Sequence, residues 1–325
     1  MNKKNPILFS YIFDKDGKAS ELDTKLASTE LKNEGLTWVH LDATNPQTQN
    51  WIRKEVNYLD HLIIDALTAE ETRPRVTEFT DGLLIILRGV NLSQNNDPED
   101  MVSIRVWVDN DRIISLQRRD LKAIFDVKDA IVQRKLIKTS AEFLYNLIYQ
   151  IINVTSPFVY DLGDKIDVLE EKMLESQDSS FRKQVLEIRT KATIFKRYLA
   201  PQREAVAKLK ICQYDWIDDW SKRHFQENLD QITIMIEEID EVRDRAHILS
   251  DELFSVLTEK LNKSMYSLSL VASIFIPLTF FTSIFSVNIG GLPGLDNEGA
   301  FMWMIFAMAF LTLIQLIIFK YKQMF

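Results

Sequence analysis

Cysteine and histidine are almost missing from this 325-residue chain, which has one cysteine, Cys212, and four histidines. A lone thiol excludes an intrachain disulfide, and four scattered histidines with one cysteine cannot assemble a Cys/His zinc site within one chain. The body is therefore expected in a reducing compartment. Positive charge is also short: 39 Lys and Arg face 47 Asp and Glu, a net charge of −8 at pH 7. A nucleic-acid binder needs clustered positive charge to displace counterions from phosphate, so no nucleic-acid partner is expected. Charge of either sign then disappears altogether. The 32 residues from Ser264 to Leu295 carry none, and neither do the 21 from Gly299 to Phe319. Residues 261–325 hold Lys263, Lys320 and Lys322 against Asp296 and Glu298, so residues 1–260 carry a charge of −9. The chain reads as an acidic soluble body with a membrane tail, which excludes a simple soluble enzyme. A signal peptide is not expected either. Lys3 and Lys4 precede the apolar run Ile7–Phe13, but Asp14 and Asp16 close it after seven residues and no small-residue cleavage site follows.

Two membrane spans are expected. Met265 to Val287 would be roughly 35 Å long as a helix and Gly299 to Phe319 roughly 32 Å, against a hydrocarbon core of about 30 Å. Lys260 and Lys263 precede the first span and Lys320 and Lys322 follow the second, while the loop between them has only acids. That lysine bias puts both chain ends in the cytoplasm and the loop outside.

Glycine and proline divide the remainder. Glycines stand at 17, 35, 82, 89 and 163, then none until Gly290, and residues 164–289 contain only Pro201 and Pro277. Such a stretch is overwhelmingly helical. Before it, Thr37–Leu41, Leu83–Leu87, Val102–Val108 and Arg112–Leu116 are β-branched and aromatic runs bounded by turn residues, and read as strands. Gln47–Glu55, Asp60–Ala69, Asp120–Lys138 and Ala141–Val154 lack those breakers and read as helices. The expected architecture is an α/β or α+β domain over residues 1–155 and a helical stalk over 156–263. A first membrane helix (264–288), an outer loop (289–298), a second membrane helix (299–319) and a short tail (320–325) follow. Arg197–Pro201 is expected to mark a helix end, because proline disfavours the α conformation in the residue before it, and Ile211–Asp219 to connect two helices.

From Asp219 to about Val287 one continuous helix is expected, and a seven-residue step along it picks out Glu237, Asp244, Asp251, Thr258, Met265, Ala272, Thr279 and Ser286. Three residues on, a second seam holds Asp240, His247, Phe254, Leu261, Leu268, Phe275 and Thr282. Seven residues fall only about 20° short of two turns, so both seams stay on one face. Buried like charges at Glu237, Asp240, Asp244 and Asp251 would cost too much for this face to pack dry against copies of itself. Spacing alone leaves two readings. Around an axis of identical helices, the face lines a water-filled vestibule whose acids concentrate cations, continuing as a pore with rings of Met265, Leu268, Thr279 and Thr282. Alternatively, the acids decorate a solvated surface and the hydroxyls bond back to their own helix. The first span contains no Asp, Glu, His, Lys, Arg or Cys, which disfavours a stripped transition metal or a proton relay inside it. Hydroxyls and carbonyls suit a cation that keeps its water.

At the outer end the pattern becomes specific. Met265-Tyr266, Ile276-Pro277-Leu-Thr279-Phe-Phe-Thr282, Ser286-Val287-Asn288 and Gly290-Gly-Leu-Pro-Gly294 resemble the CorA family of divalent-metal transporters, specifically its ZntB-like zinc branch. Trp38–Asp42, Thr72-Arg-Pro-Arg75, Asp81–Asn91, Glu99–Trp107 and Arg197-Tyr-Leu-Ala-Pro-Gln-Arg-Glu204 are similar to that branch too. The resemblance implies a funnel-shaped homopentamer in the inner (cytoplasmic) membrane, with the first span lining an axial pore. It implies an outer selectivity ring at Asn288, where an outer-shell contact to the metal is suspected, and a deeper polar ring at Thr279. It also implies an apolar constriction at Met265 and Leu268 and an acid near the inner mouth at Asp251, with acids facing neighbouring subunits serving regulation. Asn288 before two glycines is equally good helix C-terminal chemistry. The family's Gly-x-Asn signature carries Ser286 in place of its glycine, which leaves ion preference open.

The expected function is transport of a hydrated divalent cation. Zinc comes first, with magnesium, cobalt or nickel as alternatives; no cofactor is called for, and the partners are the chain's own copies, lipid and the ion. Asp296 and Glu298 in the outer loop are candidates for attracting cations. The competing reading is a two-span sensor with a ligand-binding α/β domain. An enzyme is not expected, since there is no Ser/His/Asp grouping, phosphate loop or dinucleotide fingerprint, and His40 and His61 read as packed or surface residues.

Overall fold

The computed structural model describes residues 5–33, 35–70, 72–92, 97–133, 135–175, 180–287 and 299–322. The chain divides into two units, Met1–Ser250 and Asp251–Phe325. In the first, seven strands form one mixed sheet: β1 (Ile7–Phe13), β2 (Ala19–Glu21), β3 (Thr37–Asp42), β4 (Arg75–Glu78), β5 (Leu83–Gly89), β6 (Val102–Val108) and β7 (Arg112–Gln117). Their spatial order is β2-β1-β3-β7-β6-β5-β4. β3 and β7 run parallel, Thr37 beside Arg112 through Asp42 beside Gln117, and the other neighbouring pairs are antiparallel.

The four runs read as strands are β3, β5, β6 and β7. They lack clean polar alternation because helices cover both faces of the sheet, and all five residues from Leu83 to Leu87 are buried. On one face Val39, Leu41, Leu84 and Trp107 join Ile52, Ile64 and Leu67 in a cluster under α1 (Ala27–Glu30), α2 (Thr48–Glu55) and α3 (His61–Thr68). On the other, Trp38 packs at 4.8 Å between ring centroids on Phe143 of α5 (Ser140–Glu175). Gly89 has no side chain where Leu121 approaches, since a Cβ there would lie 2.7 Å from Leu121 Cδ1, with Ile151 of α5 in ordinary contact at 3.6 Å. Polar atoms in this core are shared: Trp38 Nε1 donates to Ser115 Oγ at 2.8 Å, and His40 Nδ1 pairs with the same hydroxyl at 2.7 Å. Burial lowers the His40 pKa to about 4, so the ring is neutral at pH 7.

Several elements depart from the sequence reading. β1 is the apolar run considered only as a possible leader; it becomes a strand by pairing with β3 and β2. The helix expected over 120–138 is α4 (Lys122–Val132). It stops early because Ile137 N donates to Gly17 O at 2.9 Å. Gly17 holds φ of +82° there, and a Cβ on it would meet the Ile137 backbone at 2.9 Å, so a glycine is needed. The 155/156 boundary falls inside α5, which runs unbroken past it.

The expected helix end at Arg197–Pro201 is corrected: α6 spans Phe181–Ile211 with Pro201 inside it. An interior proline costs about 3 kcal/mol. Full burial of Leu199, Val206 and Leu209, each contributing roughly 1.5–3 kcal/mol, outweighs that cost. Gln202 adds a tie, its Oε1 accepting from Arg88 N of β5 at 2.8 Å.

The connection expected at 211–219 separates α6 from α7 (Asp219–Phe285), a helix of 67 residues. The second unit holds the end of α7 and all of α8 (Ala300–Tyr321). No described residue after Leu253 is buried, and the apolar stretches of α7 and α8, at mean hydropathy 2.0 and 2.3, are long enough to cross a membrane.

Candidate functional site

The candidate residues lie in line along α7, which at 67 residues is about 100 Å long. Nothing between Ser221 and Phe275 breaks it: that stretch has no glycine or proline, and its positions Ile232, Ile236, Ile239 and Val242 are buried within the first unit. On the edge picked out by the seven-residue step, Glu237, Asp244 and Asp251 are exposed. Asp240 differs. Both its oxygens accept from Lys196 Nζ of α6, at 2.5 and 2.7 Å, and Oδ1 also accepts from Arg243 at 3.0 Å. Partial burial pushes this carboxyl up, but Lys196 and Arg243 outweigh it and hold the pKa below the ordinary carboxylate value. Asp240 therefore bonds α7 to α6 and is not a free acid of the stripe. A second tie, legible only in the fold, joins Arg245 of α7 to Glu170 and Asp167 of α5. Those two carboxylates raise the Arg245 pKa.

Farther along, Met265 and Leu268 are exposed, 66% and 71%, Ala272 and Thr282 are half-buried, and Thr279, Ser286 and Val287 are exposed. The hydroxyls do bond back to their own helix: Thr279 Oγ1 to Phe275 O at 2.8 Å, Thr282 Oγ1 to Thr279 O at 2.9 Å, and Ser286 Oγ to Thr282 O at 3.1 Å. Each hydroxyl proton is thus committed, which leaves the oxygen lone pairs to accept from water. α7 ends at Phe285, two residues before Val287, the expected end of the span. Asn288, Asp296 and Glu298 lie outside the described residues.

One contact in this region went unread in the sequence. Pro277 has no N–H, so the carbonyl four residues earlier, Ser273 O, loses its helical donor. Gln315 of α8 supplies a replacement, its Nε2 aimed at Ser273 O at 3.5 Å, long for a hydrogen bond. The signal was available: one amide in an otherwise apolar span, opposite one proline in the other.

Among the described residues no group of three or more His, Cys, Asp or Glu could hold a metal ion. The described candidates follow one another along α7 and just past its end, and none of them is brought together with others into a common cage.

The family model described as CorA-like Mg2+ transporter protein matches residues 33–321. The zinc transport protein ZntB of Yersinia enterocolitica is 32% identical over 307 residues, covering 94% of this chain and 92% of that one. The divalent cation transporter CmaX of Pseudomonas aeruginosa is 31% identical, covering 91% and 90%. The structure of a full-length CmaX protein superposes with a TM-score of 0.83 at 29% identity, over 97% of each chain. With a family match across most of its length, relatives aligned nearly end to end and two helices fit to span a bilayer, the chain is a membrane protein that belongs to the CorA family.

Proposed function

We propose that the chain conducts hydrated divalent cations, zinc foremost, through an axial pore formed by several copies of itself, five by the family likeness. The end of α7 lines the pore, and both chain ends stay in the cytoplasm with the protein in the inner membrane. The observation that carries this reading is the edge of α7 itself. From Met265 to Val287 it offers apolar side chains and hydroxyls without one Asp, Glu, His, Lys, Arg or Cys, and the hydroxyls of Thr279, Thr282 and Ser286 have their protons tied to backbone carbonyls. A divalent ion's first-shell waters are donors and need acceptors around them. Hydroxyl lone pairs meet that need, whereas carboxylates would hold the ion too tightly to release it. Exposed Glu237, Asp244 and Asp251 raise the local cation concentration before the pore. Asn288 provides amide oxygens at the outer mouth, and Asp296 and Glu298 add negative charge there.

The named activities of the ZntB and CmaX relatives support zinc and a wider divalent range. Zinc entry into liposomes carrying the purified chain tests the proposal, and flux that stays at background defeats it. Asn288→Ala is expected to lower zinc flux by about tenfold, near 1.4 kcal/mol at the barrier, with oligomer size unchanged; full flux in that variant removes Asn288 from its role. Magnesium, cobalt and nickel in the same assay rank the ions. An imposed pH gradient separates passive conduction from coupling through carboxylates outside the span.

A further inference from the structure

Three sequence blocks that the pore does not use meet in the first unit. Thr72-Arg73-Pro74-Arg75 leads into β4, Arg88 lies near the end of β5, and Arg197-Tyr198 sit on α6. Thr72, Arg73, Arg75, Arg88, Arg197 and Tyr198 line one cleft of about 470 Å³. Four arginines thus line a common space in a chain of net charge −8, and no acidic residue among the described residues lines it. Glu71, next to Thr72 in the chain, lies outside the described residues.

Nearby acids are already engaged elsewhere. Glu70 pairs with Arg118, Asp100 with Arg119 and Glu204 with Arg203. Two of the four cleft arginines are held in place by neutral partners. Arg88 donates from Nε and Nη2 to Thr72 O, at 3.1 and 2.8 Å, and from Nη1 to Met101 O at 2.7 Å. Its guanidinium lies 4.4 Å from the Tyr198 ring centroid, and that of Arg197 lies 4.7 Å from the same ring. Arg73 and Arg75 are exposed at the rim.

A second feature is independent of charge. Thr72 is 7% exposed, and its hydroxyl has no hydrogen-bond partner; buried hydroxyls almost always have one. Gln202, beside Arg88, likewise has its Nε2 buried and unpartnered. The field in this region is positive enough to act on a neighbour. Burial, then Arg118 and Arg88, lower the Arg105 pKa to about 10. Like charges gathered around an unpartnered donor lack one thing, an anion with several acceptor oxygens.

We propose that this cleft binds a phosphate group carried by a small soluble anion. Guanidinium forks match phosphate oxygens two at a time, the Thr72 hydroxyl supplies a further donor, and the volume lies within the range of small-molecule sites, roughly 300–1,000 Å³. None of the residues lining the cleft belongs to the edge of α7 assigned to the ion, so the proposal does not depend on which cation is carried.

Calorimetric titration of the purified full-length chain, in metal-free buffer at constant ionic strength, tests this with inorganic phosphate as probe and chloride as control. Saturable binding of phosphate but not chloride is expected. Arg73→Gln with Arg75→Gln, both at exposed positions, should weaken it by about tenfold. Arg88→Lys, which keeps the charge and loses the fork, should weaken it as well, with circular dichroism verifying that each variant is folded. Phosphate heats no different from chloride overturn the proposal, as does an unchanged Kd in the folded double variant. Dissociation of the oligomer by phosphate in place of a one-site isotherm also overturns it, because the cleft would then be holding an acidic segment of another copy.

Discussion

The two units of this chain treat their apolar residues in opposite ways. In Met1–Ser250, Trp38, Trp107, Phe143 and Phe225 are almost entirely buried, and the polar groups among them share partners, as Trp38 and His40 share Ser115. In Asp251–Phe325, side chains just as apolar stand open: Leu268 is 71% and Trp303 73% exposed. A single chain closes the first core by itself. The second leaves its apolar surface uncovered within one chain, and an exposed run of this hydropathy would not stay in water. Folding energy is thus concentrated in the first unit, while the second carries the edge of α7 proposed to serve permeation.

Substitutions can break that comparison, and the largest effect is expected in the closed core. Trp38→Ala should destabilise the first unit by about 3–5 kcal/mol, read as an earlier denaturation midpoint by circular dichroism. Leu268→Ala should change that midpoint by less than about 0.5 kcal/mol while altering zinc flux; a large stability loss from it would mean that Leu268 packs in a core of its own. Next comes acid. His40 is buried and neutral, its pKa lowered from 6.5 to about 4. The unfolded chain therefore binds a proton that the folded one refuses, and stability falls as pH drops from about 6.5 toward 4, by roughly 3 kcal/mol in all. His40→Asn should flatten the upper part of that slope; an unchanged slope assigns it to other groups.

Two weaker ties sharpen the contrast. Gln315→Leu removes the donor facing Ser273 O, and hydrogen bonds between membrane helices contribute about 0.6 kcal/mol. A small loss of stability in detergent is expected, and none at all would mean that water already satisfies the carbonyl. Asp240→Asn weakens the bond to Lys196, where both side chains are more than a third exposed, so the cost is about 0.2–1 kcal/mol. The Asp240 pKa is lowered on folding, so this contribution is present above the ordinary carboxylate pKa and is lost as pH falls through the folded value. At low pH the wild type and Asp240→Asn should converge.

The amino-acid sequence by itself determined the features that local chemistry controls. Uncharged runs of 32 and 21 residues define the spans, and the glycine-free stretch from Asp164 to Ile289 specifies long helices. The β-branched runs specify β3, β5, β6 and β7, and the seven-residue step lays the candidate path along α7. Period and composition carry these because each depends on neighbours a few positions apart. Tertiary structure alone decided what depends on distant partners. Ile7–Phe13 is a strand because β3 lies beside it, and Pro201 stays helical because Leu199, Val206 and Leu209 are buried around it. Asp240 leaves the open stripe because Lys196, 44 residues away, reaches it. The arginine cleft exists because three blocks separated by up to 126 positions end at one place. Side-chain charge is written in the chain, but whether that charge is free or compensated is settled by packing.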